Sequence, residues 1–170
     1  MFRKKRDPGE APDQPAPTTY EPGGEALLAD RGIMAEWVGR WYLAKEMARC
    51  LRHDSPLTVA VLTPQLFGSS ESVPAGVYVG ATALAKLART TDVVAWYGSS
   101  SFMVILPETE HHDAEVAVQR WCVEMWRRSL SVDGVKWAAG IVSASADFDS
   151  PDALLEAAAT RAARHDEKAA

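Results

Sequence analysis

Residues 94–109 read VAWYGSSSFMVILPET: two apolar runs separated by Gly98-Ser99-Ser100-Ser101, the second closed by Pro107. So short a connection, made of glycine and serine and flanked by β-branched and aromatic residues, reads as a tight antiparallel hairpin. Its tip carries only small hydroxyls and no charge, so it offers no group suited to acid-base chemistry or to holding a metal.

The rest of the chain must bury that hairpin. With 170 residues, 47% of them hydrophobic, there is enough apolar surface for one domain with a real core. A net charge of −5 argues against wholesale nucleic-acid binding, because no excess of cations is available to neutralise phosphates. Cys50 and Cys122 sit inside apolar helical patterns and lack metal-ligand spacing, which predicts buried free thiols in a reducing, cytoplasmic setting. The start, MFRKKRDPGE, meets Asp7, Pro8 and Gly9 where a secretion signal needs an apolar stretch. No run is long enough to cross a bilayer, and Arg3, Lys4, Lys5 and Arg6 alone make a weak membrane anchor. Pro8, Pro12, Pro15, Pro17 and Pro22 recur too often for helix or strand, so residues 1–25 are expected to be a disordered leader and 26–170 the domain.

Within the domain, Trp37, Trp41, Leu43, Ala44, Met47 and Leu51 fall at helical spacing and predict an amphipathic helix over 33–52. Residues 57–62 read as a buried strand that Thr63-Pro64 should end. A helix is expected from Pro74, with Val77, Ala81, Leu84 and Ala88 inward, then the hairpin over 93–106 and a helix over 113–130. A strand over 135–144 and a last helix opened by Ser150-Pro151-Asp152 complete the order α-β-α-β-β-α-β-α. Its natural packing is an α+β fold of ferredoxin-like type, an antiparallel-containing sheet covered by helices.

This order, together with RTTDVVAWYGSSSFMVILPET, resembles a GGDEF domain, the fold family of the diguanylate cyclases, over about residues 30–164. Where that family has R-Y-G-G-[DE]-E-F, this chain has Trp96-Tyr97-Gly98-Ser99-Ser100-Ser101-Phe102, and DRGIMAEW stands at its D-x-L-T-G-L-x-N-R stretch with Gly32 and Ile33 kept. The resemblance implies a nucleotide-cyclase-like fold and, in the family, condensation of two GTP into cyclic di-GMP with Mg²⁺. It also implies that the two metal-binding acids are replaced here, by Thr63 and Ser100. A neutral hydroxyl gives a hard dication no charge partner, so metal binding and cyclase activity are expected to be lost, with no cofactor. The family's nucleotide-holding loop is shorter here, at residues 67–74, and its Y-x-x-A-K lysine is gone from Thr160-Arg161-Ala162-Ala163-Arg164, leaving Arg161 or Arg164 as partial substitutes.

A second family feature is present. Arg89-Thr90-Thr91-Asp92 stands five residues before Gly98, the spacing of the R-x-x-D motif at which many GGDEF domains bind cyclic di-GMP, and Arg120 matches the arginine that often completes that site. Arginine's planar fork suits guanine or phosphate, and a carboxylate can accept from guanine's N1–H and amino group. The resemblance therefore implies a cyclic di-GMP receptor acting through Arg89, Asp92 and Arg120, with a second protomer or another protein as partner. Each residue also has an ordinary structural explanation: Arg89 at a helix C-terminus, Asp92 on backbone donors, Arg120 on the surface. The alternative function is an interaction or dimerisation scaffold that binds no nucleotide.

Other clusters read as structural. His111-His112-Asp113 suits the start of a helix, Asp147, Asp149 and Asp152 a turn and cap, and Trp126-Arg127-Arg128 a helix end with cations where the dipole favours them.

Overall fold

The computed structural model describes residues 32–65, 75–132 and 134–167. The expected leader, the 67–74 loop and Pro74 lie outside the described residues. In chain order the elements are β1 Ile33–Met34, α1 Glu36–His53, β2 Leu57–Gln65, α2 Ala75–Leu87, β3 Val93–Tyr97, β4 Ser101–Pro107, α3 His111–Ser129, β5 Lys136–Ser143 and α4 Pro151–Glu167. They form a five-stranded sheet in the order β1-β3-β4-β2-β5, antiparallel except for the parallel pair β1 and β3.

Strand periodicity sorts the core into two layers. Leu57, Val59 and Val61 of β2 and Met103 and Ile105 of β4 face α1 and α4, packing with Leu43, Met47, Leu154, Leu155 and Ala158. The alternate residues Ala60, Leu62, Phe102 and Val104 face α2 and α3, packing with Val77, Leu84, Val118, Trp121 and Met125. Both faces of the sheet are thus covered by helices. Near the hairpin tip, Phe102 lies 4.7 Å from Trp96 and 5.6 Å from Trp137, ring centre to ring centre, an aromatic ladder that adds roughly 1 kcal/mol per pair beyond burial.

Three expectations need correction. Residues 33 and 34 open no helix: Ile33 and Met34 pair with Val94 and Ala95, and α1 begins after them at Glu36. The inward face of α1 is also different. It buries Gly39, Leu43, Met47 and Cys50 and leaves Trp37, Trp41 and Leu51 exposed. Gly39 decides this, because a Cβ there would lie 2.5 Å from Ala95 Cβ, so the helix comes closest to the sheet along its glycine. Finally, Thr63-Pro64 does not end β2. Its pairing with β4 stops at Leu62, while pairing with β5 continues through Pro64 to Gln65. Proline is tolerated there because that stretch has a neighbour on one side only. The cap at Ser150 is formed as expected, its Oγ accepting the Ala153 N–H at 3.2 Å.

Candidate functional site

The hairpin tip is a three-residue turn, Gly98-Ser99-Ser100, between the paired Tyr97 and Ser101, with Gly98 at φ 66°. Glycine suits this position because a side chain is strained at positive φ. Thr63 stands across from the tip, and the serine that reaches it is Ser101: its hydroxyl donates to Thr63 Oγ1 at 3.2 Å. Two hydroxyls bonded to each other leave no anionic oxygen for Mg²⁺. One carboxylate does touch the tip. Glu36, at the start of α1, accepts the Gly98 N–H through Oε2 at 2.9 Å and the Arg40 guanidinium through Oε1 at 2.6 Å. Arg40 in turn pairs with Asp152 and lies over the Tyr97 ring, 5.5 Å from its centre. Glu36 is thereby spent on holding the hairpin, and the donor set does not fit a divalent metal. Among the described residues no group of three or more His, Cys, Asp or Glu side chains gathers into a metal site. Glu36 was absent from the candidates read in the sequence; its only signal there was the Glu36/Arg40 pair at helical spacing.

Beyond the C-terminus of α2, residues 89–92 make a tight turn. The Asp92 N–H donates to the Arg89 carbonyl at 3.1 Å, and Asp92 Oδ2 accepts the Arg89 backbone N–H at 2.7 Å. The carboxylate therefore faces its own turn, and its Oδ1 is buried without a partner. Burial raises the Asp92 pKa; the Arg89 N–H and the nearby guanidinium oppose that shift. The guanidinium of Arg89 is exposed and makes no hydrogen bond or ion pair among the described residues, and the same holds for Arg120. Arg120 lines an open groove of about 460 Å³ together with Leu87, Val116, Gln119, Val123 and Glu124. Leu87 ends α2 just before the Arg89 turn, so the end of α2 and Arg120 of α3 share this groove; Arg89 itself is not among its lining residues.

No known family profile matches the sequence, and neither does any curated protein. Solved structures do. The GGDEF domain of DgcB from Caulobacter crescentus, in complex with c-di-GMP, superposes with a TM-score of 0.68 at 15% identity, covering 81% of this chain and 85% of that one. The fold is that of a GGDEF domain. The GGDEF domain of FimX from Pseudomonas aeruginosa gives 0.65 at 16% identity, covering 81% of this chain and 91% of that one. Diguanylate cyclase SiaD in complex with its activator SiaC, also from Pseudomonas aeruginosa, gives 0.70 at 16% identity, covering 84% of this chain and 62% of that one.

On this GGDEF frame, Arg161 and Arg164 lie at the edge strand β5. Arg161 donates to the Ile141 carbonyl at 2.6 Å, and both arginines line a pocket of about 280 Å³ with His111, Glu115 and Gly140. Neither contacts Thr63 or the hairpin among the described residues. His111 opens α3, with Nδ1 3.2 Å from Ser143 Oγ and Nε2 3.4 Å from Glu115. Arg127 and Arg128 both bind Glu124, holding its carboxyl down at about 2. Asp147 bonds Ser145 in a turn and Asp152 pairs with Arg40, as structural roles require. Cys50 is a buried free thiol, and burial pushes the free Cys122 thiol up to about 12. No helix among the described residues is long and apolar enough to cross a membrane.

Proposed function

We propose that this chain is a GGDEF domain without cyclase activity that binds cyclic di-GMP through Arg89 and Arg120, with Asp92 holding the turn that presents Arg89. The observation that carries the reading is the pair of exposed guanidiniums, Arg89 in the turn after α2 and Arg120 on α3, neither with a hydrogen bond or ion pair among the described residues. Two planar forks of fixed charge suit a ligand with phosphates and guanine edges, since each can donate two parallel bonds to either. Asp92 takes a smaller part than the motif alone implies. Its Oδ2 is already committed to the backbone, so it acts as a positioning residue. That a GGDEF domain of the same fold is known in complex with c-di-GMP supports the ligand class.

The absence of turnover rests on the hairpin. Thr63 and Ser101 hydrogen-bond each other, Ser100 brings only a hydroxyl, and Glu36 is neutralised by Arg40. Phosphoryl transfer depends on charge neutralisation by metal, and these groups supply none. Thermal melting with cyclic di-GMP, GTP and GMP in turn tests the reading, because a ligand that binds only the folded state raises the midpoint. Only cyclic di-GMP is expected to do so, with no product formed from GTP and Mg²⁺ or Mn²⁺. A rise with GTP alone, or turnover, contradicts it. A melting point indifferent to all three favours the second reading, an interaction scaffold, to which the exposed tryptophans of α1 lend support.

A further inference from the structure

Helix α1 carries a second apolar face, opposite the one it buries. Trp37, Trp41, Ala44, Ala48 and Leu51 recur at alternating steps of four and three, and all of them are exposed, Trp37 at 63% and Trp41 at 58%. Such spacing lays the side chains along one stripe, which runs roughly 20 Å from Trp37 to Leu51. Two tryptophans left in water at neighbouring turns are uncommon on an uncovered surface. The charges beside the stripe are of one sign. The acids Glu36 and Glu46 are spent on Arg40 and Arg49, whereas Lys45 has only the Trp41 ring, 5.7 Å from its centre, and Arg52 has no charged partner among the described residues.

A second copy of α1 suits this face poorly. Parallel pairing sets Lys45 against Lys45 and Arg52 against Arg52, and antiparallel pairing about Ala44, midway along the stripe, sets Arg52 opposite Glu36, whose carboxylate is already taken by Arg40 and the Gly98 N–H, so neither arrangement supplies a free acid. The chain itself holds a better match. Residues 7–30 contain six acids, Asp7, Glu10, Asp13, Glu21, Glu25 and Asp30, and no lysine or arginine. They also contain Pro8, Pro12, Pro15, Pro17 and Pro22. Proline-rich segments dock on exposed aromatic rings at small entropic cost, because proline already fixes the backbone. This segment precedes β1, after which α1 begins at Glu36, and its 24 residues can extend about 75 Å.

We propose that residues 7–30 lie along the α1 stripe of the same chain, prolines against Trp37 and Trp41 and acids toward Lys45 and Arg52. The contact does not depend on nucleotide binding.

The test uses the full chain with ¹⁵N-labelled tryptophan indoles, Trp37 and Trp41 being assigned through Trp37→Phe and Trp41→Phe. The native protein is compared with two variants, one with the six acids changed to Asn or Gln and one with Pro12, Pro15 and Pro17 changed to Ala. Both variants are expected to move the Trp37 and Trp41 signals by more than a line width and to raise their quenching by acrylamide, with the buried Trp96, Trp121 and Trp137 unmoved. Unchanged Trp37 and Trp41 signals in both variants overturn the proposal, as do shifts spread equally over the buried rings. Shifts that appear only as protein concentration rises also overturn it, in favour of a segment supplied by a second copy.

Discussion

Gly140→Ala asks whether α4 lies on β5 as closely as described. A Cβ at Gly140 would stand 1.9 Å from the Ala158 carbonyl oxygen and 2.4 Å from the Ala162 nitrogen. Both are backbone atoms of a helix, so no side-chain rotation relieves the clash, and α4 must retreat by about 1.5 Å to restore ordinary contact. That helix buries Leu154, Leu155, Ala158 and Ala162, whose contacts with β2 and β5 weaken together. Overpacking against side chains costs about 1–3 kcal/mol, and against fixed backbone the upper end is the expected minimum, ~3 kcal/mol. For a domain of this size that lowers the melting midpoint by roughly 10 °C. Gly39→Ala provides the comparison. Its Cβ would meet Ala95 Cβ at 2.5 Å, which no rotation can move, and the Met103 sulfur at 2.9 Å, which can; the fixed overlap is shallower than the 1.9 Å one at Gly140, so a smaller but still clear loss is expected. Thermal denaturation followed by circular dichroism measures both. A Gly140→Ala protein that melts with the parent, or above Gly39→Ala, refutes the packing argument and the description of the edge pocket that Arg161 and Arg164 line.

Three further outcomes are expected. Asp92→Ala removes the acceptor for the Arg89 N–H and is predicted to cost about 1 kcal/mol in urea unfolding and to weaken cyclic di-GMP binding through the loosened turn; full stability would show that the turn does not need its carboxylate. Glu124, whose hydrogen bonds with Arg127 and Arg128 hold it at about 2 against an ordinary 4.5, contributes stability that is present above pH 4.5 and lost as pH falls toward 2; carboxyl NMR should follow that titration, and Arg128→Ala should return it toward the ordinary range. Thiol titration with Ellman's reagent at pH 8 should leave Cys122, raised to about 12, unreactive in the folded protein and label it after denaturation.

The hairpin was legible because its two arms are unbroken apolar runs and its turn is glycine and serine, so local preference and tertiary pairing agree. The inner face of α3 was legible from helical spacing: Ala114, Val118, Trp121 and Met125 recur at steps of three and four, and all are buried. The face of α1 was not, because it carries two apolar stripes and periodicity alone prefers the one with tryptophans. A glycine, invisible to any hydrophobicity count, settles which stripe packs. β1 was missed since two residues in register with β3 have no period of their own. At the site, spacing put Arg89 and Asp92 together but could not show that the carboxylate turns onto the Arg89 N–H. Glu36 was hidden because its partner, the Gly98 N–H, belongs to the backbone and leaves no trace in sequence.

Isothermal calorimetry of cyclic di-GMP into the purified chain, repeated with Arg89→Ala and Arg120→Ala, addresses the receptor reading most directly. Saturable heat from the parent, lost or at least tenfold weaker in affinity with each arginine removed, is the predicted result, a change of about 1.4 kcal/mol or more. Equal binding by all three proteins, or heat from none, contradicts the assignment of the ligand to these two guanidiniums.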